Sequence, residues 1–246
     1  MAEFETIRRT RAGVRTAEID AGLRAHMNKV YGTMSVGLLV TAGVAWAIGS
    51  NDALQSIFRD PATLQPNILG WIAMFLPLVM VFAFGAMINR LSAAGAQLFF
   101  YVFAAAMGLS ISWIFAAYTG ISIAQTFLVT SISFAGLSLW GYTTKKDISG
   151  WGSFLIMGVI GLIVASIVNI FLGSPAIMFA ISVIGVLIFA GLTAYDTQKI
   201  KTAYIQHANA MDEEWLAKSA IMGALNLYLD FINLFMFLLH FLGNRE

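Results

Sequence analysis

An all-α integral membrane protein with seven transmembrane helices is the fold that this sequence predicts, and three observations predict it. Of the 246 residues, 59% are apolar and only 11% charged, against about 25% charged in soluble domains. The mean hydropathy is +0.80, which suits a chain whose solvent is mostly lipid. Seven apolar runs follow one another, each near the roughly 20 residues that cross a hydrocarbon core of about 30 Å. This composition excludes a water-soluble enzyme, and no nucleic-acid partner or catalytic residue is expected. The absence of cysteine removes disulfides, thiolate metal sites and cysteine nucleophiles together. His26, His207 and His240 are too scattered in sequence for a zinc site.

Residues 1–29 are charged and lack an apolar core, so no cleavable signal peptide is read there. They hold Arg8, Arg9, Arg11, Arg15, Arg24 and Lys29 with four acids between them. The expectation is a cytoplasmic basic tail ending in a short interfacial helix. The membrane domain then occupies residues 30–242, with spans at 30–49, 68–88, 95–118, 121–141, 152–172, 176–195 and 220–242. Short breaks separate them: Pro61 and Pro66, Asn89 and Arg90, Thr119 and Gly120, Lys145 to Asp147, and Gly173 to Pro175. The third and fourth spans abut so closely that a tight helical hairpin is expected. Residues 243–246 form a short external C-terminus.

Orientation follows from lysine and arginine, which are enriched on the cytoplasmic side. With the N-terminus inside, inner segments hold the six basic residues of the tail plus Arg90, Lys145, Lys146, Lys199, Lys201 and Lys218. Outer segments hold only Arg59 and Arg245. Twelve against two places the N-terminus in the cytoplasm and the C-terminus outside.

Small residues recur in the spans, notably Gly37, Gly43, Gly108, Gly136, Gly158, Gly161 and Gly185, as close helix packing in lipid requires. Thr126, Thr130, Ser131, Ser133 and Ser138 of the fourth span read as interhelical hydrogen-bonding groups. The acids are more informative, because eleven of the thirteen fall in tails, loops or interfaces. Asp196 and Asp230 remain. Asp230 sits mid-span, where insertion costs roughly 2.5 to 3.5 kcal/mol, and the thirteen Leu, Ile and Phe residues around it offset this at roughly 0.3 to 0.6 kcal/mol each. On a helical wheel Ser219, Gly223, Asn226, Asp230, Asn233 and His240 share one face, which should look into the bundle. Tyr228, Phe235, Leu239 and Leu242 fall opposite and should meet lipid. Asp196 closes the sixth span and approaches Asp230 if that helix runs on through Gln198 and Ile200; alternatively it is an interfacial acid paired with Lys199.

The run GVLIFAGLTAYDTQKIK at 185–201 and the run LYLDFINLF at 227–235 closely resemble the signature of the Bax inhibitor (transmembrane BAX-inhibitor-motif) family. LRAHMNKVYGTM at 23–34 and SFLIMGVIGLIVASIVNIFL at 153–172 support the match. The chain is identified as resembling a bacterial member, multi-pass in the inner membrane. The resemblance implies six helices around a central seventh, and a hydrogen-bonded pair of aspartates gating a pH-sensitive calcium leak. By motif these are Asp196 on the sixth helix and Asp230 on the seventh, with Arg90 matching loosely an arginine at the inner end of the second. The chain departs from some animal members in ending at GNRE without a basic tail, so tail-dependent regulation does not carry over.

Physical chemistry gives that assignment a mechanism. Two carboxyl groups about 3 Å apart in a poorly hydrated site share a proton and titrate as a pair. Once ionised they would hold calcium transiently, with Asn226 and Asn233 adding carbonyl oxygens along a candidate ion path. Calcium is then the transported ion, not a cofactor, and membrane lipid the surrounding partner. A presenilin-like protease also uses two membrane aspartates. Its GxGD and Pro-Ala-Leu elements are missing here, since Leu227, Tyr228 and Leu229 precede Asp230. The alternative function is a non-conducting regulator of a membrane-anchored ATP-dependent protease, gripping it through the N-terminal tail.

Overall fold

The computed structural model describes residues 2–244 apart from 61, 62, 64 and 209, with side chains described from residue 19 onward. Nine helices follow in order among the described residues: α1 (Ala2–Gly49), α2 (Asp52–Phe58), α3 (Ile68–Met87), α4 (Ala93–Ile111), α5 (Ile114–Ala117), α6 (Gly120–Thr143), α7 (Trp151–Leu172), α8 (Pro175–His207) and α9 (Glu213–Leu242). Seven stretches of helix are long and apolar enough to cross a membrane, α5 prolonging the third beyond a break at Ser112 and Trp113. An isolated bridge between Arg59 and Pro66 is the only β pairing among the described residues.

Helix starts carry the side chains that lipid makes necessary, since the first N–H groups of a helix have no partner within it. Asn67 accepts from Gly70 N–H at 3.0 Å, Ser92 from Gly95 at 3.2 Å, Thr119 from Ser122 at 3.2 Å and Asp212 from Trp215 at 2.7 Å. Ser174 caps α8 ahead of Pro175, whose missing N–H costs nothing in a first turn. Gly173 ends α7 at φ 60°, a left-handed conformation that glycine adopts without a Cβ penalty.

Three expectations change. The segment 1–29 is helical from Ala2 and continuous with the first span, so α1 has no separate interfacial helix. The side chains of Arg8, Arg9, Arg11 and Arg15, and all of Arg245, lie outside the described residues. The connection between the third and fourth spans is short, but α4 and α6 diverge and each packs on α9 rather than on the other. A short link therefore did not make a hairpin, because both helices gain more by closing on a common third one. The last two spans are also longer than expected. α8 runs 33 residues and α9 30, about 50 and 45 Å at about 1.5 Å per residue, well beyond a core of about 30 Å. Their surplus stays packed at the lysine-bearing end, where the buried Tyr204 of α8 lies against Gly22 and His26 of α1.

The core is centred on α9, whose apolar window is 67% buried while no other span exceeds 33%. Its principal neighbours are α1, α4, α6 and α8, whereas α3 packs mainly on α4 and α7 on α8. This overturns the two-faced reading of the last span. Tyr228, Phe235 and Leu239, expected at lipid, are as buried as Asp230, and only Leu242 is exposed. A helix enclosed on several sides buries its apolar face against protein too. Tyr228 meets Phe100 and Phe103 of α4 edge-on, at 5.5 and 5.7 Å between ring centroids, and its hydroxyl lies 2.6 Å from Thr41 Oγ1 of α1.

Four of the seven glycines singled out by sequence are true contact points. A Cβ at Gly37 would strike Phe100, at Gly108 the Thr41 carbonyl, at Gly158 Ile188 and at Gly185 Phe237. Gly43, Gly136 and Gly161 face open space. Of the hydroxyls on α6, Thr130 and Ser131 bond carbonyls of their own helix, and Ser138 alone of the five has described bonds to other helices.

Candidate functional site

Asp230 lies on α9 and Asp196 on α8, the most extensively paired helices of the molecule. α8 does run on through Gln198 and Ile200, reaching His207. Asp196 therefore sits half-buried within a continuous helix, and Asp230 is buried on the helix beside it. Each carboxyl feels the Lys199 charge, and Asp230 feels that of Asp196 as well. No hydrogen bond joins the two carboxyls among the described residues, so the implied hydrogen-bonded pair is here a pair of electrostatic neighbours. Asp230 Oδ2 is buried with no hydrogen-bond partner among those residues, an arrangement that costs several kcal/mol for an unpaired ionised group.

Packing fixes where Asp196 stands. Gly141 of α6 lets its helix touch the Ala194 carbonyl directly, and a Cβ on Gly152 of α7 would stand 2.5 Å from the Tyr195 hydroxyl. Thr197 Oγ1 donates to the Thr193 carbonyl at 2.7 Å and meets Ser138 Oγ at 2.9 Å. Ser138 in turn lies 2.6 Å from Tyr31 OH. This chain of hydroxyls ties α1, α6 and α8 together beside Asp196.

The remaining candidates fall at different depths. Asn233 donates its amide to the Leu229 carbonyl at 2.8 Å, which leaves its side-chain oxygen as an acceptor. Asn226 lines a cavity of about 270 Å³ that opens between α8, α9 and the Ile88–Asn89 turn after α3, where Lys199, Lys218 and Ser219 also contribute. Arg90 is exposed and forms no ion pair with either aspartate; Lys199 is the cation that acts on both, from beyond 4.0 Å. Sequence reading named Lys199 only as an alternative partner of Asp196. Its three-residue offset from Asp196 was the signal that it shares a face with the pair. No third His, Cys, Asp or Glu joins the two carboxylates among the described residues.

Residues 23–246 match the family described as Inhibitor of apoptosis-promoting Bax1. The chain belongs to the Bax inhibitor family. Both aspartate-bearing motifs lie inside that match. The chain is 48% identical over 226 residues to the Inner membrane protein YbhL of Escherichia coli (strain K12), covering 92% of this chain and 94% of that one. It is 46% identical over 232 residues to a protein of Caulobacter vibrioides, covering 93% and 92% of the two chains, and 42% identical over 219 residues to a protein of Borreliella burgdorferi. In this Bax inhibitor family member the relation therefore extends over the whole membrane domain and not over one helix pair.

Proposed function

We propose that the protein is a pH-sensitive calcium leak of a bacterial inner membrane, gated by Asp196 and Asp230, with its N-terminus in the cytoplasm. The observation that carries this reading is the buried, unpartnered Asp230 Oδ2 facing a second carboxyl on the adjacent helix. A proton shared between the two would draw α8 and α9 together, and its loss would set two anions against each other. The hydroxyl chain through Ser138 and Thr197 ties α8 to α6 and α1 at this level, so a change of spacing there is felt by the α1 and α6 walls. Asn226 and Asn233 supply oxygens above and below the pair on α9. Two carboxylates and two amides fall short of the six to eight oxygens that calcium prefers, and weak holding suits passage more than storage.

The test is purified protein in liposomes loaded with a calcium indicator and scanned across pH. Flux that rises or falls through one titration, and that empty liposomes lack, is expected. No flux above empty liposomes at any pH would sink the proposal.

A further inference from the structure

Beside the carboxylate pair lies a further cavity of about 500 Å³, within the range of small-molecule sites. One wall is the 144–149 loop between α6 and α7; the other is the face of α8 from Tyr195 to Gln206. Lys145 and Lys146 come from the loop and Lys199 and Lys201 from α8, against a single acid, Asp147. That acid stays ionised, because its Oδ1 accepts the Ser149 N–H at 2.9 Å, a bond that holds the carboxyl below its usual range; four lysines against one carboxylate still leave the cavity positive. Among the described residues none of the four ammonium groups forms an ion pair within 4.0 Å.

The walls are set before any ligand arrives. Gln198 pins the loop to α8 from both ends of its amide, its Oε1 accepting from Ile148 N–H at 2.9 Å and its Nε2 donating to the Lys146 carbonyl at 2.8 Å. Lys201 is held by the Tyr142 carbonyl at the end of α6, at 2.7 Å. A solvated charge run would need neither bond. Four ammonium groups and one carboxylate around one concave space leave a net positive charge that an entering anion would offset, and lysine ammonium groups suit phosphate as compact point charges.

The geometry points to this cavity as a binding site for a phosphate-bearing anion, which shares Lys199 with the Asp196–Asp230 pair. Lys199 lines this cavity and also the cavity of Asn226, one helical turn from Asp196. An anion drawing Lys199 outward removes a positive charge from beside the carboxylates. Occupancy is thereby coupled to the proposed gate, and this coupling alone rests on that reading; the binding site stands without it.

Isothermal titration of full-length protein with inorganic pyrophosphate, in nanodiscs of zwitterionic lipid, tests the site without any flux measurement. Saturable binding is expected, and Lys145→Gln/Lys146→Gln should weaken it at least tenfold with no change in melting temperature. Repetition in nanodiscs containing phosphatidylglycerol separates the sources: unchanged affinity assigns the site to a soluble phosphate compound, and displacement assigns it to a lipid headgroup. Asp196→Asn should tighten pyrophosphate about threefold by releasing Lys199. Unsaturable uptake, or equal binding by the double variant, overturns the site; unchanged affinity in Asp196→Asn overturns the sharing of Lys199.

Discussion

At the scale of single residues, the proposed gate turns on Asp230. Because its carboxyl is buried and faces Asp196, the two should behave as one unit. Asp230→Asn and Asp196→Asn are each expected to flatten the pH dependence of calcium flux, with the double variant no flatter than either single one. Two single variants that keep the full wild-type profile would return Asp196 to an interfacial role beside Lys199. Tyr228 makes a different prediction. Tyr228→Phe removes one bond to Thr41, whose hydroxyl keeps the Gly37 and Ala104 carbonyls at 3.0 and 2.8 Å. The expected loss is about 0.6 to 1 kcal/mol in a denaturation titration, with calcium flux unaltered. Cysteine substitution is clean in a chain with no native thiol. Aqueous thiol reagents should label Asn226→Cys, which lines an open cavity, and spare Leu239→Cys, which is fully buried.

At the scale of helices, packing in lipid gains nothing from hiding apolar surface and depends on close approach. Gly141→Ala would push α6 away from the Ala194 carbonyl, at an expected cost of about 1 to 3 kcal/mol. Gly43→Ala meets open space and should be neutral or stabilising by about 0.5 to 1 kcal/mol. Thermal unfolding of the two variants side by side checks both signs. These pairs also explain what sequence could tell. The seven spans were legible because apolar runs and turn residues are local features. Asp196 and Asp230 were legible because acids in such runs are costly. Gly43 and Gly141 look alike in sequence, since which helix a glycine faces is decided by the bundle. The burial of Tyr228 and Phe235 escaped for the same reason: a wheel shows faces, but not how many neighbours a helix has. The lysine cavity was hidden because its walls are about fifty residues apart in sequence and are joined by tertiary bonds of Gln198 and Lys201.

For the molecule as a whole, the charge asymmetry makes a prediction that the bundle geometry permits in either direction. With twelve basic residues on one side and two on the other, a C-terminal reporter that works only outside the cytoplasm should be active, and a cytoplasmic one silent. The reverse result would invert the protein and place the lysine cavity outside. The length of α8 beyond Asp196 adds a mechanical consequence. From Asp196 to the end of α8 there are eleven residues, or about 17 Å of rigid rod at about 1.5 Å per residue. A tilt of about 5° at the carboxylates would swing that tip by about 1.5 Å over the same lever arm. If the proposed gate moves the carboxylates, this end of α8 acts as a pointer needle on a meter, and spin labels on the exposed Gln206 and Arg90 should read its movement.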